Sequence, residues 1–350
     1  MLDHRSMGTS VVRRFVEELP GNSKLPDWAF GVLFLNLIVF LPVFLILGYT
    51  LGHVVPTLAI VEDPNPPAYE PLNTNENSNE NATPASENPE ATGRPVTTSL
   101  RATRRLLISV AGRRSLFRGF WCAVFLGFAG GALGAIFNMR IIPLIPIGQL
   151  LAQLALVQFG AAWTHIVISA PNPLPFYRRL PPFRKAFEAT CFPILGVWLA
   201  TALTVVASGL TAMALGIKIG FSDHDRANNP TVDGHLVWKL MVVALVSFAV
   251  ELVTIVPANV ILVRVQASLL PPEEDAIVPF DRSFQGKVEP AIVGGKGFVS
   301  MRDALATFPR ASWIRLYKLY AKIFAATTVA YGLMAAVVVP QILLMAAKGN

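Results

Sequence analysis

The chain has 350 residues, of which 53% are hydrophobic and only 15% are charged, whereas about a quarter of the residues in soluble domains are charged. This composition excludes an ordinary soluble protein, and the long apolar blocks indicate a membrane protein. The formal net charge is +7, but Lys and Arg cluster beside the apolar blocks, which favours an anionic membrane surface over nucleic acid as their partner.

Six apolar blocks have about the length, roughly 20 residues or more, that crosses a bilayer as a helix. They predict an all-α fold, a polytopic membrane helical bundle of about six transmembrane helices with a disordered cytosolic loop. The blocks are residues 29–61, 119–137, 144–169, 190–216, 236–263 and 323–347. The chain then divides into a polar N-terminal tail (1–28), a first membrane block (29–61), a cytosolic loop (62–118), four transmembrane helices (119–263), a cytosolic loop with an interfacial helix (264–322), and a last transmembrane helix with its tail (323–350).

The second and third blocks are separated by a short turn and are predicted to form a helical hairpin. In the second block Gly127, Gly131 and Gly134 or Ala135 share one helix face. This spacing of small residues predicts close approach of a neighbouring helix.

Segments 62–118, 170–189 and 264–322 share one side of the predicted bundle and contain 7, 4 and 9 Lys and Arg, 20 of the 29 in the chain. Positive charges stay on the cytosolic side, so these loops are predicted to be cytosolic and both tails external. Around the first block alone, the positive charges lie on the N-terminal side. A re-entrant first block that folds back at Pro42 would remove this conflict and keep the N-terminus cytosolic.

The two halves of loop 62–118 differ in character. Residues 62–93 carry seven acids and no Lys or Arg, with many Asn and Pro, so this half is predicted to be disordered. Residues 94–118 carry seven Arg and no acid, interleaved with apolar residues at helical spacing. They predict a basic amphipathic helix that binds anionic lipid on the inner leaflet. The alternative is an ordinary positively charged flank of the next span.

The acidic half contains Pro66-Pro67-Ala68-Tyr69, which fits the PPxY pattern bound by WW domains. Consecutive prolines pre-form a polyproline II turn, so Pro66 and Pro67 lose little entropy on docking, and Tyr69 fills a neighbouring pocket. HECT-type ubiquitin ligases carry WW domains, so a ligase of this class is a candidate partner. The alternative is a plain proline-rich linker.

The last cytosolic segment contains Ser300 and Asp303, which resemble a capping box. They predict a helix that starts at Ser300 and runs through Trp313 to Tyr320 along the inner interface.

No catalytic motif, metal-binding spacing or cofactor-binding loop is found, so no catalytic residue, metal or cofactor is predicted. Cys122 and Cys191 lie in apolar blocks and are interpreted as small packed side chains. Polar residues on the external loop could bind a metal but are interpreted as solvated; they are Asp223, His224, Asp225, Asp233 and His235.

Transport is an alternative to a non-enzymatic role in recruiting partners. Glu251 lies near the middle of the fifth block, where an ionisable residue is costly enough to suggest a function. Asn259 and His165 are possible members of the same intramembrane polar site. The competing interpretation is a buried carboxyl that holds helices together. A membrane-embedded accessory enzyme is the third hypothesis.

The stretches "LLPPEEDAIVPFDRSF" and "KVEPAIVGG", together with the spans, resemble a family of uncharacterised fungal multi-span membrane proteins, some of them labelled ubiquitin carrier or conjugating protein. The resemblance covers about residues 190–330 and implies a multi-span topology. Ubiquitin-conjugating enzymes need an exposed cysteine after a His-Pro-Asn signature, and this chain has no His-Pro dipeptide. The resemblance therefore implies topology and not conjugating chemistry.

Overall fold

The computed structural model describes residues 27–64, 95–140, 147–217, 236–288 and 295–348, which form helices joined by loops. The α-helices are α1 (Asp27–Leu45), α2 (Val55–Val61), α3 (Leu100–Ala111), α4 (Phe120–Arg140), α5 (Ile147–Ala155), α6 (Val157–Ile168), α7 (Phe183–Ala214), α8 (Leu236–Ser268), α9 (Met301–Ala306) and α10 (Arg310–Lys348). A π-helical segment, Ile46–Val54, joins α1 to α2. Within the described residues the β-type pairing is limited to one antiparallel bridge, Ser169 to Ala276. The all-α prediction is confirmed.

Five helical stretches are long and apolar enough to cross a membrane, or six if the bent pair α5 and α6 counts as one span. The five are Phe34–Val61, Arg113–Phe137, Phe183–Ala214, Trp238–Ser268 and Arg310–Ile342. At most 28% of the residues in their most apolar windows are buried inside the protein. Large apolar side chains therefore face outwards, as they do where the surrounding solvent is lipid.

The sequence predicts, as one alternative, that the first block folds back at Pro42. The structure has no such fold there and bends the third block instead. Pro42 lies inside α1, and Phe34–Val61 continues as one 28-residue apolar stretch. In contrast, α5 and α6 meet at 64°, because Leu156 between them leaves helical geometry at φ −96° and ψ 15°. Both halves of this block are apolar, so hydropathy alone could not locate the break.

The glycine face of α4 packs closely at one position only. A Cβ on Gly134 would lie 2.7 Å from Oε1 of Gln149 on α5 and 3.7 Å from the Cα of the same residue, so the two helices approach closely there. A Cβ on Gly127 or Gly131 would meet no atom of the described residues within 4 Å. The predicted close approach is therefore right for Gly134 and wrong for the other two glycines.

Several helices extend beyond the predicted apolar blocks. α7 begins at Phe183, within a segment predicted as loop, and α8 continues to Ser268. The Ser300 hydroxyl accepts the Asp303 N–H at 3.1 Å and caps α9 as predicted. However, α9 ends at Ala306, since Pro309 lacks an N–H and disfavours helix in the residue before it. The predicted interfacial helix and the last span are one helix, α10.

The chain divides into two compact units, each described separately. The apolar unit comprises the described parts of Met1–Leu45, Ala200–Ile255 and Ala325–Asn350. Its contacts include the Phe44 and Tyr331 rings, which are tilted by 35° with centres 4.8 Å apart, and the Ser208 and Ser247 hydroxyls, 2.7 Å apart.

The loop-bearing unit comprises Ile46–Leu199 and Val256–Phe324. One buried hydrophobic cluster joins α7, α8 and α9 to the loops that precede α9, and a second joins α6 to α7. The first contains Ala189, Val265, Phe284, Val299 and Ala304, and the second contains Val157, Ala186 and Ile194.

Candidate functional site

A buried carboxylate at the end of α2 joins the two ends of segment 65–94. Glu62 follows the last residue of α2, and its side chain is fully buried. It accepts hydrogen bonds from the backbone N–H groups of Val96, at 2.5 Å, and Thr97, at 3.1 Å, and from the Thr97 hydroxyl. We call this arrangement the Glu62 clamp. It holds residue 62 against residues 96 and 97, so the intervening chain leaves and re-enters the structure at one place.

Arg315 on α10 neutralises the negative charge of Glu62. Its NH1 lies 3.2 Å from Oε2 of Glu62, and both side chains are almost completely buried. Its NH2 donates to the carbonyl oxygens of Ala59, at 3.1 Å, and Glu62, at 2.9 Å. The last carbonyls of a helix have no partner within the helix and favour a cation, so Arg315 also caps α2.

A second buried arginine, Arg264 near the end of α8, is enclosed by two aromatic rings. Its guanidinium lies 4.8 Å from the ring centre of Phe284 and 5.3 Å from that of Phe308, within cation–π range. Its NH2 donates to the Thr307 hydroxyl at 2.8 Å. A cavity of about 200 Å³ lies beside Arg264 and is also lined by Asp63 and Asp281.

Asp281 holds the turn that presents Phe284 to Arg264. The Ser283 hydroxyl and N–H donate to one carboxylate oxygen at 2.6 and 2.9 Å, and the Gln285 N–H donates to the other at 2.7 Å. These bonds support the positive φ angles of Phe284, 49°, and Gln285, 60°. Partial burial opposes ionisation of Asp281, but these hydrogen bonds and the charge of Arg264 lower its pKa below the ordinary value.

Three further arginines hold the segments around the ends of α6 and α8. Arg118 donates to the carbonyl oxygen of Ile166 at 2.9 and 3.1 Å and also to that of Ser169. Arg179 forms a 2.5 Å ion pair with Glu274. Arg282 donates to the backbone carbonyl oxygens of Pro271, at 3.1 Å, and Glu274.

The buried arginines change the interpretation of the charge pattern. Arg118 belongs to the segment predicted to lie on the leaflet surface, but the structure uses it to bind helix-end carbonyls. The exposed arginines of α3 and the turn after it remain available to other partners, and they are Arg101, Arg104, Arg105, Arg113 and Arg114. In the same segment Thr103 and Leu107 are buried, so α3 is amphipathic as predicted.

The predicted intramembrane residues have different environments. Glu251 is exposed on α8, so the structure does not show the buried, helix-joining carboxyl proposed as one alternative. Asn259 on the same helix is half-buried. His165 is buried on α6, where its Nε2 lies 2.9 Å from the backbone oxygen of Gln266. A polar role for Glu251 and Asn259 stays a prediction.

The predicted partner-binding residues Pro66, Pro67 and Tyr69 lie outside the described residues, as do the polar residues in 223–235 of the loop predicted to be external. Within the described ranges no group of three His, Cys, Asp or Glu side chains could hold a metal ion. Cys122 is buried, Cys191 is half-buried, and both are free thiols.

Comparison with known proteins adds no relative. No family model, no curated protein and no solved structure matches this chain. The resemblance to fungal multi-span proteins therefore stays a prediction from the sequence.

Proposed function

We propose that this protein is a multi-pass integral membrane protein that catalyses no reaction and displays a tethered PPxY motif to WW-domain proteins in the cytosol. A ubiquitin ligase of the HECT type is the favoured partner. The observation that carries the proposal is the Glu62 clamp, because it anchors both ends of the segment that contains Pro66, Pro67 and Tyr69.

The clamp keeps the motif close to the folded loops. Pro66 is four residues from Glu62, and an extended chain spans at most about 3.6 Å per residue, so Pro66 can be no more than about 14 Å from the clamp. A WW domain bound there is held next to the loop-bearing unit. Because both ends of the segment are anchored, binding costs less chain entropy than it would on a free tail.

The loop-bearing unit offers acceptor lysines for a ligase recruited in this way. Loop 62–118 contains no lysine, so any modified lysine must lie on another segment. The lysines on the other two loops predicted to be cytosolic are all exposed, and they are Lys185, Lys287, Lys296, Lys318 and Lys322.

The exposed arginines of α3 complement this role. We propose that Arg101, Arg104 and Arg105 contact anionic lipid of the inner leaflet and keep the clamp at the membrane surface. Each basic residue near such a surface contributes about 1 kcal/mol of attraction.

The test measures binding of purified full-length protein in detergent to a panel of WW domains. Tyr69→Ala should abolish micromolar binding by emptying the tyrosine pocket, whereas Pro71→Ala, in the same segment but outside the motif, should leave it unchanged. In cells, Tyr69→Ala should also lower ubiquitination of the chain. Equal binding by the Tyr69→Ala and unsubstituted proteins, or no binding to any WW domain of the host, would refute the proposal.

A further inference from the structure

A second cavity, of about 350 Å³, lies in the loop-bearing unit among α4, α5, α6, α7 and α8. Most of its wall is aliphatic, with Leu126, Ile194 and Leu262 among the lining residues. The polar part of the wall consists of three carboxamides, Gln149, Gln153 and Gln266. No ionisable side chain of the described residues lines it.

Missing side chains and the helix break create this space. Gly127, Gly130 and Gly160 line the cavity, and a Cβ on Gly127 would meet no atom of the described ranges within 4 Å. A Cβ on Gly130 would touch only Leu156, at 3.9 Å. Leu156 also lines the cavity and is the residue at which α5 and α6 diverge by 64°. The cavity size is within the range of roughly 300–1,000 Å³ typical of ligand pockets.

Gln266 indicates that the cavity binds a ligand. Only 6% of this residue is exposed, and its Oε1 accepts a hydrogen bond from the Thr164 hydroxyl at 2.6 Å. Its Nε2 lies 3.5 Å from the position that a Cβ on Gly160 would take, so the NH₂ group faces the cavity. Among the described residues no hydrogen bond from this NH₂ group is found, so the donor can bind a polar group of a molecule in the cavity.

The residues that line the cavity determine which class of ligand it can bind. A phosphate or free carboxylate would need a cation, and the described wall provides none. Carboxamides donate to and accept from hydroxyl and ester groups, while the aliphatic wall accommodates a hydrocarbon body. The helices that form the cavity include three long and apolar enough to cross a membrane, so lipids are the ligands at hand.

We propose that this cavity binds an uncharged lipid that carries a hydroxyl or ester group, with Gln266 Nε2 as its hydrogen-bond donor. Sterols and diacylglycerols share this chemistry. The proposal does not depend on the PPxY motif.

The test uses full-length protein in phosphatidylcholine nanodiscs with three photoreactive probes: a sterol, a diacylglycerol and phosphatidylcholine. One of the two neutral probes should label cavity-lining peptides, and the unlabelled form of the same lipid should compete. The class that competes identifies the ligand. Equal labelling by the phosphatidylcholine probe, or no labelling of these peptides by either neutral probe, would overturn the proposal.

Matched variants connect the labelling to the cavity. Gly127→Leu places a side chain in the cavity and should remove most labelling, while Ala132→Leu, on the opposite and exposed face of α4, should not change it. Gln266→Leu should weaken binding about fivefold through loss of one hydrogen bond. Unchanged labelling in both Gly127→Leu and Gln266→Leu would also overturn the proposal. If Gly127→Leu fails to fold, Gln266→Leu decides the outcome alone.

Discussion

The apolar unit and the loop-bearing unit are built from parts of the same helices, yet they are held together differently. In the apolar unit the side chains of Leu203, Val206 and Val253 are more than half exposed, and uncharged polar side chains join helices, as Ser208 and Ser247 do. In the loop-bearing unit Glu62 and Arg315 are almost completely buried and bonded to groups from distant segments. One part of a helix can therefore be suited to lipid while the next part of the same helix joins an ionic network.

The largest expected effect is at the buried ion pair. Arg315→Leu leaves the Glu62 carboxylate buried without a countercharge and removes the cap of α2, so stability should fall by about 3–5 kcal/mol. Thermal unfolding in detergent measures this loss. Lys318→Leu, exposed one turn further along α10, is the control and should change stability little. A similar small effect for both variants would show that the clamp does not stabilise the fold.

In the apolar unit, in contrast, a substitution is expected to make the protein more stable. Glu251 is exposed in a stretch long and apolar enough to cross a membrane, so Glu251→Leu should favour insertion by on the order of 2–3 kcal/mol. Quantitative expression and thermal stability measure it, and Glu251→Gln should give a smaller gain. If Glu251→Leu instead lowers abundance or abolishes a transport activity, Glu251 has a functional partner.

A smaller loss of stability is expected at Arg264, whose guanidinium lies over the rings of Phe284 and Phe308. Arg264→Lys keeps the charge but loses the planar group that stacks on Phe284 and Phe308 and reaches Thr307, which should cost about 1–2 kcal/mol. Thr307→Val removes the hydroxyl that accepts from Arg264 and donates to the Asp303 carbonyl, and it should cost about 1 kcal/mol. Equal unfolding temperatures for Arg264→Lys and the unsubstituted protein would contradict the stacking role.

The smallest expected effect is on how thermal stability depends on pH. Asp281 has a lowered pKa in the folded state, so its stabilising contribution is complete above the ordinary Asp pKa of 3.8 and is lost as pH falls through the folded pKa. Asp281→Asn should reduce the loss of thermal stability below about pH 4, because Asn does not titrate there. An identical acid profile in the variant would show that Asp281 ionisation does not support the turn.

Several features follow from the sequence because they depend on local chemistry. Apolar blocks long enough to cross a bilayer predict the five or six candidate spans, since hydropathy is a property of contiguous residues. The Ser300 cap is recognisable because its partner, Asp303, is three residues away. The amphipathic character of α3 is likewise evident from the spacing of Arg and Leu.

The tertiary structure alone decides the features that join residues far apart in the chain. Glu62 and Arg315 are 253 positions apart, so no local period indicates their ion pair, and the charge count treats Arg315 as one more loop cation. The break between α5 and α6 separates two apolar segments, and glycines from α4 and α6 leave space for the cavity beside it that no side chain of the described residues fills. Hydropathy predicts that a segment enters lipid. Which buried charge or amide it meets there depends on the packing of the other helices.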